Sequence, residues 1–129
     1  MLRPGMLRPM QLSQVVLFVV DLPRMQAFYA DLLGMPVLST EPGFVRLGSP
    51  GAALALHAIP AEYAGAMTEP ATAREDTAIK PCFRVDDVSA EHTRLVGLGV
   101  PMRPLHQHDA LAYCDGIDPE GNVFQLSSR

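Results

Sequence analysis

The chain contains an internal duplication, which limits its fold more than any other feature of the sequence. The segment VVDLPRMQAFYADLLGMPV (residues 19–37) resembles RVDDVSAEHTRLVGLGVPM (residues 84–102), and Asp21 matches Asp87 at an offset of 66 residues. Each segment follows a stretch with the composition of a strand, SQVVLFVV in the first half and AIKPCFRV in the second. This part of the repeat predicts a strand followed by a helix in each copy.

A second match lies downstream, in the same order. The segment SPGAALAL (residues 49–56) aligns with DPEGNVFQL (residues 118–126) once one residue is inserted, which places Ala55 over Gln125 at an offset of 70 residues. Two matched blocks in one order indicate a duplicated module. A period of 66 to 70 residues is too long for a solenoid repeat and is typical of paired half-domains.

The helix of the first module has clear boundaries in the sequence. Asp21 is a suitable N-cap, and Pro23 falls in the first turn, where its missing N–H removes no hydrogen bond. Gly34 is placed to end the helix in a left-handed conformation. Between these ends, apolar residues recur at i, i+3, i+4 and i+7, which predicts one buried face. They are Met25, Phe28, Tyr29 and Leu32.

The second module repeats this organisation. Its helix is predicted from about Val88 to Leu98, with Asp87 as the cap and Gly99 at the end. Its weaker apolar stripe consists of Val88, Leu95 and Val96. After each helix come three strand-like stretches separated by Gly and Pro, which are PVLST, GFVRLG and AALALHAI in the first half and PMRPLH, ALAYCD and NVFQLSS in the second. Each module is therefore predicted to be βαβββ.

The chain length of 129 residues predicts a single domain. The modules occupy about residues 12–59 and 79–127, and residues 1–10 form an N-terminal tail. Residues 60–78 join the modules and show no strong periodicity. This linker is either a plain tether or a partly helical flap over a cleft, and the sequence does not choose between them.

Composition and charge exclude several classes of function. The net charge of −4 and a pI near 5.4 argue against nucleic-acid binding, which needs a basic face for the phosphates. The longest strongly apolar run, residues 15–20, is far shorter than the roughly 20 residues that span a bilayer. The repeated MLRP at the start lacks the apolar core of a secretory signal, so a cytoplasmic location is predicted. Cys82 and Cys114 are then expected to be reduced thiols.

Two motifs point to a known family. Residues 19–34 match the pattern VxDLxxxxxFYxxxLG, and residues 118–126 match DPxGNxxxL. With the duplication, the chain resembles the vicinal oxygen chelate superfamily, which contains glyoxalase I, bleomycin-resistance proteins, fosfomycin-resistance enzymes and extradiol dioxygenases. The resemblance covers about residues 12–127. It implies an α+β fold in which two tandem βαβββ modules form a cup-shaped mixed sheet with the helices outside.

The resemblance also implies where a metal ion would bind. Enzymatic members hold one divalent metal in the cup through four strand positions that usually carry His, Gln or Glu. Here these positions are Gln14 and Lys80, each seven residues before the capping Asp of its module, together with Ala55 and Gln125 on the last strands. The repeat pairs the same four residues, and it predicts that their side chains face one cavity.

This set of residues is a poor metal site. It has no carboxylate and no imidazole, which Zn²⁺, Mg²⁺ and Mn²⁺ favour. Deprotonating Lys80 at neutral pH would cost roughly 4–5 kcal/mol. Asp118 and Glu120 are interpreted as turn formers around Gly121 and not as a catalytic pair. No cofactor is therefore expected, and Gln125 is interpreted as the remnant of a ligand position.

Histidines provide the rival sites. His57 lies two residues after Ala55, so strand alternation places it on the cup side of the sheet, although a half-exposed strand end is an equal alternative. His106 and His108 form an HxH pair, a pattern that can bind a metal. Their position between two strands favours a hairpin loop instead.

Polar residues alternate along the first strand of the second module. Lys80, Cys82 and Arg84 share one face, and two cations there would favour an anionic ligand over a cationic drug. The alternative for Arg84 is a surface ion pair with a nearby Asp, and Cys82 is interpreted as a small core-lining residue. The candidate ligand-binding residues are Gln14, Phe18, His57, Lys80, Cys82 and Gln125.

Two functions from different classes follow. The favoured one is a glyoxalase- or bleomycin-resistance-like protein that binds a small neutral or acidic organic molecule in the sheet cavity, with a degenerate metal site. The alternative is a metal-dependent lyase, isomerase or dioxygenase that uses His57 with Gln14 and Gln125. No membrane or nucleic-acid partner is expected. A homodimer is expected, because the family usually pairs chains through sheet edges that would otherwise stay exposed.

Overall fold

The computed structural model describes residue 5, residues 8–63 and residues 71–129, and it has the element order that the repeat predicts. The elements of the first module are β1 (Gln14–Val19), α1 (Leu22–Gln26), a π-helical segment that continues α1 (Ala27–Leu32), β2 (Val37–Glu41), β3 (Phe44–Ser49) and β4 (Ala52–Ala58). Those of the second are β5 (Cys82–Arg84), α2 (Val88–Gly97), β6 (His106–His108), β7 (Leu111–Ile117) and β8 (Val123–Ser127).

The strands form two four-stranded sheets with matching topology. Their orders are β1-β4-β3-β2 and β5-β8-β7-β6, and in each the first and last strands of the module run parallel while the other pairs are antiparallel. Val16 lies opposite Ala55 in the first sheet, and Cys82 lies opposite Gln125 in the second. The predicted α+β fold of two tandem βαβββ modules with the helices outside is therefore confirmed.

The first helix begins and ends where the sequence predicts. The Asp21 side chain accepts a hydrogen bond from the Arg24 N–H at 3.1 Å, and Gly34 has a φ of +75°. The last turns are π-helical, because the Leu33 N–H bonds to the Phe28 carbonyl five residues earlier. The predicted apolar stripe is buried at Met25, Phe28 and Tyr29, while Leu32 is half-buried.

The second helix confirms most of its prediction. The Asp87 side chain accepts from the Ala90 N–H at 3.0 Å, and Gly99 has a φ of +85°. Val88 and Leu95 are buried, but Val96 is 50% exposed, so its place in the stripe was wrong. The physical reason is the helical period of 3.6 residues, which turns Val96 about 100° away from its buried neighbour.

One core joins the two modules. The Phe28 ring of the first module lies 5.7 Å from the Phe124 ring on β8, and the Tyr29 ring lies 6.0 Å from the Phe83 ring on β5. The helix of the first module thus packs against strands of the second, with Leu56 of β4 buried in the same cluster. The opposite face of each sheet is here named the cup face, and it carries Phe18, Arg46 and His57 in the first module and Cys82, Asp115 and Gln125 in the second.

Two predicted strands of the second module were misplaced. β5 has only three residues, because Pro81 offers no N–H to a neighbouring strand and Lys80 therefore lies outside it. Among residues 101–105 only Met102 forms a bridge, and the strand begins at the last residue of PMRPLH and covers His106–His108, where a hairpin loop was expected. The turn follows at Asp109, whose φ is +53°.

Part of the predicted linker packs against the second module. The Arg74 N–H donates to the Gly121 carbonyl at 2.8 Å, and Arg74 and Ile79 line a cavity with β1. Residues 64–70 of the linker and residues 1–4 and 6–7 of the tail lie outside the described residues, so the choice between tether and flap stays open. Within the described ranges no helix is long and apolar enough to cross a membrane.

Candidate functional site

Glu120 joins the second module to the start of α1. Its carboxylate is 3% exposed and accepts hydrogen bonds from the Val20 N–H, at 2.8 and 2.9 Å to the two oxygens, and from the Asp21 N–H at 2.7 Å. An anion at this place also interacts favourably with the N-terminal end of the helix dipole. The interpretation of Glu120 as a turn former was therefore incomplete.

Asp118 is the second buried carboxylate of this motif. It is 3% exposed, accepts from the Tyr29 hydroxyl at 2.6 Å and from the Asn122 side-chain amide at 2.9 Å, and also accepts from backbone N–H groups of its own turn. Burial raises the pKa of Asp118 although these hydrogen bonds oppose the shift, and burial with the charge of Asp118 raises the pKa of Tyr29. Both carboxylates thus accept hydrogen bonds that hold the turn against the first module.

The cup face of the first module carries three aromatic rings on neighbouring strands. Phe18 of β1, His57 of β4 and Phe44 of β3 lie in register, and these three residues are here named the aromatic row. The His57 ring stacks on Phe18 at 5.4 Å with an interplanar angle of 30°, and it meets Phe44 edge to face at 5.4 Å. Phe18 is 59% exposed, so it lies on an open surface and not in the core.

Arg46 is the cation of this face. It lies on β3 opposite Ala55, which is fully buried, and its Nε donates to Gln14 Oε1 at 2.9 Å. In the described part of the chain no carboxylate pairs with its guanidinium. Arg46 and Phe44 were not among the predicted site residues, although both alternate with the buried Val45 in GFVRLG and that alternation would have placed them on the cup face.

On the cup face of the second module, polar side chains form a network of hydrogen bonds and ion pairs around Asp115. Lys80 Nζ lies 3.2 and 3.3 Å from its two carboxylate oxygens, and Gln125 Nε2 donates to it at 3.1 Å. Arg103 Nη1 lies 4.0 Å away. Cys82 Sγ lies 3.5 Å from Gln125 Oε1. Asp115 was not among the predicted site residues, and it occupies the position in the second sheet that Arg46 occupies in the first.

Cys82 is an exposed thiol, and Arg84 forms a surface ion pair. Cys82 is exposed, so its interpretation as a core-lining residue was wrong. Burial of the sulfur raises the pKa of Cys82, Lys80 lowers it and Asp115 raises it, which leaves a thiol and not a thiolate at neutral pH. Arg84 forms a 3.0 Å ion pair with Asp86 on the surface, as its alternative predicted.

The donors at the four family positions do not fit a divalent metal. Gln14 is engaged by Arg46, Ala55 offers no donor, and Lys80 and Gln125 are engaged by Asp115. Among the described residues there is no group of three or more His, Cys, Asp or Glu side chains that could hold a metal ion. The HxH pair forms no exception, since His106 stacks on Tyr113 at 5.0 Å.

The structure distributes the predicted site residues over separate cavities. Gln14 and Cys82 line one cavity of about 310 Å³ between the first strands of the two modules. Gln125 lines another of about 290 Å³, and Phe18 a third of about 280 Å³. Ala55 is fully buried. The structure therefore brings Gln14 close to Cys82 but places Gln125 in a different cavity from Gln14.

Fold and cup faces together define a member of the vicinal oxygen chelate superfamily. The chain matches the glyoxalase-like domain over residues 14–127, and it belongs to that family. No curated protein sequence matches the chain.

Solved structures show the same fold at low sequence identity. Lactoylglutathione lyase from Agrobacterium tumefaciens is 24% identical with a TM-score of 0.66, over 92% of this chain and 93% of that protein. An antibiotic-binding protein from Streptomyces sp. CB03234 is 20% identical with a TM-score of 0.70, over 93% and 96%. A protein of unknown function from Agrobacterium tumefaciens str. C58 is 20% identical with a TM-score of 0.73, over 94% and 95%.

Proposed function

We propose that the protein binds a small neutral or acidic organic molecule on its cup faces without a metal ion. The observation that carries this proposal is the state of the four family ligand positions. Gln14, Lys80 and Gln125 are held in hydrogen bonds with other side chains, and Ala55 is buried and has no donor atom. A divalent cation would have to displace Lys80 and Arg46 before it met enough oxygen donors.

The cup faces offer what recognition of an organic molecule requires. The aromatic row is an exposed planar surface, Arg46 supplies a cation, and Gln125 supplies an amide. Aromatic surface with a few polar groups at fixed positions is the usual composition of small-molecule sites. One structural neighbour is an antibiotic-binding protein, and a binding role of that kind requires no reactive metal.

We also propose a homodimer. Val16 and Phe18 are 38% and 59% exposed on the cup face, and the outer strands β2 and β6 end each sheet in the described structure. Covering the cup faces and strand edges with a second copy would remove this apolar surface from water and leave the ligand enclosed.

The metal-dependent alternative requires His57, Gln14 and Gln125 to meet at one ion. Gln14 and Gln125 lie in different cavities, and the His57 ring lies between Phe18 and Phe44. Nothing in this geometry favours a lyase, isomerase or dioxygenase over binding.

The test is binding in the absence of available metal. The ¹⁵N-labelled protein is titrated, with excess chelator, with a mixture of small acidic, neutral and basic organic molecules. We expect acidic or neutral molecules to shift the backbone amide signals of β1, β3, β4 or β8. Binding that appears only after a divalent metal is added, or shifts confined to α1 and α2, would contradict the proposal.

A further inference from the structure

We infer that the ligand is an aryl carboxylate, whose carboxylate pairs with Arg46 and whose ring lies on the aromatic row. This inference rests on the proposed function and names the class of molecule that the first module selects.

The Arg46 guanidinium is oriented by a neighbouring side chain and can bind an anion. The side chain is half-buried, and its Nε is fixed by Gln14 Oε1 at 2.9 Å, which orients the group. The two terminal nitrogens are given no carboxylate partner by the described part of the chain. A carboxylate matches a guanidinium better than any neutral group does, because it accepts two parallel hydrogen bonds. Glu41, the acidic residue on the same face opposite Phe44, forms no ion pair with Arg46.

The aromatic row supplies the second half of the site. Phe18 is 59% exposed, and His57 and Phe44 extend its surface across three strands. Stacked or edge-to-face contact with a planar ring is the favourable arrangement for such a surface. Val16 and Ala55 lie in register with Arg46, next to the aromatic row.

The spacing of these groups sets the length of the ligand. Phe44 and Arg46 lie two residues apart on the same face of β3, which separates their Cα atoms by about 6–7 Å. Arg46 extends away from the row toward Gln14. The ring and the carboxylate should therefore be joined by a short alkyl chain, as in phenylpropanoate or phenylbutanoate.

The second module carries an acid where the first carries Arg46. At the matching positions of its cup face, Tyr113 replaces Phe44, Ser127 replaces His57 and Asp115 replaces Arg46. Asp115 is already paired with Lys80 at 3.2 Å. Arg46 of the first module is thus a cation that lies beside an aromatic surface and has no carboxylate partner in the described residues, which favours an anionic ligand over a cationic one.

The experiment compares phenylbutanoate with its neutral amide, phenylbutanamide, by calorimetry in excess chelator. We expect the carboxylate to bind the unmodified protein about tenfold more tightly, the factor that one charge-assisted contact contributes. Arg46→Gln should remove this advantage, so that the carboxylate and the amide bind with equal affinity. Arg8→Gln, which makes the same charge change in the exposed tail, is the matched control and should keep the full advantage. Phe18→Leu should weaken both molecules.

Arg46→Lys is a second variant in case Arg46→Gln folds poorly. It keeps the positive charge but cannot donate the two parallel hydrogen bonds of a guanidinium. It should retain only part of the carboxylate advantage. Equal affinity of the two molecules for the unmodified protein, or an undiminished advantage in Arg46→Gln or Arg46→Lys, would overturn the inference. Metal-free binding of other acidic or neutral molecules would then leave the proposed function standing, whereas binding of every probe only with added metal would remove the proposed function itself.

Discussion

Replacing Glu120 with Ala should destabilise the protein strongly for a single substitution, because its carboxylate joins the DPEGN turn to the start of α1. The Glu120 carboxylate is 3% exposed and accepts from the Val20 and Asp21 N–H groups at 2.7 to 2.9 Å. Hydrogen bonds to a charged group contribute about 1.5–3 kcal/mol each. Val20 is half-buried and Asp21 is exposed, so water can partly replace the hydrogen bond of the Asp21 N–H after the substitution. We therefore expect a loss of about 2–4 kcal/mol in the free energy of unfolding.

The assay is urea unfolding followed by circular dichroism. A loss of this size is a large part of the roughly 5–15 kcal/mol that stabilises a typical domain, and it should lower the midpoint without changing the slope. Glu120→Gln keeps one acceptor oxygen and should lose about half as much. Glu62→Ala, at an exposed position, is the matched control and should stay within about 0.5 kcal/mol of the unmodified protein.

Hydrogen exchange adds a local measurement. The Val20 and Asp21 amides should exchange faster in Glu120→Ala than in the unmodified protein, while the Ala90 amide, which is capped by Asp87, should not change. A loss below about 1 kcal/mol with unchanged exchange at Val20 would refute the view that this carboxylate holds the two modules together.

The remaining predictions concern pH, metal binding and assembly. The pKa of Tyr29 is raised above its ordinary 10.0. The stability that its neutral hydroxyl contributes is therefore complete below pH 10 and is lost as the pH rises further. Tyr29→Phe should make this alkaline loss of stability shallower, as measured by urea unfolding at increasing pH. The double substitution Lys80→His with Gln125→Glu adds an imidazole and a carboxylate and frees Asp115. Calorimetry with Zn²⁺, Mn²⁺ and Ni²⁺ should then detect binding that the unmodified protein lacks, and tight binding by the unmodified protein would contradict the degenerate site. Light scattering at micromolar concentration should show twice the chain mass of 14.0 kDa, and a species of 14.0 kDa alone would exclude the dimer.

The features that the sequence predicts well are those whose causes lie close together in the chain. The Asp21 cap, the left-handed Gly34 and the buried face at Phe28 and Tyr29 each follow from residues within one or two helical turns. The order of one helix and four strands in each module follows from the repeat, because two copies of one sequence pattern favour the same order of elements.

The features that the sequence did not predict depend on contacts between distant segments. Glu120 meets Val20 across 100 residues, and Asp115 meets Lys80 across 35, and neither partner carries a local signal of the other. Arg46 could have been placed on the cup face by strand alternation, but its hydrogen bond to Gln14 could not. The misplacement of Lys80 in a strand had a local cause, since Pro81 removes the N–H that a longer strand would need.

Metal-independent binding at the cup faces predicts that the purified protein contains almost no metal. The full chain is purified without chelator in medium that contains Zn, Mn, Ni and Fe, and elemental analysis gives the ratio of each metal to protein. Because Gln14, Lys80 and Gln125 are engaged with Arg46 and Asp115, we expect every metal far below one ion per chain. One equivalent of any of these metals, lost on adding chelator and regained on dialysis against that ion, would contradict metal-independent binding at the cup faces.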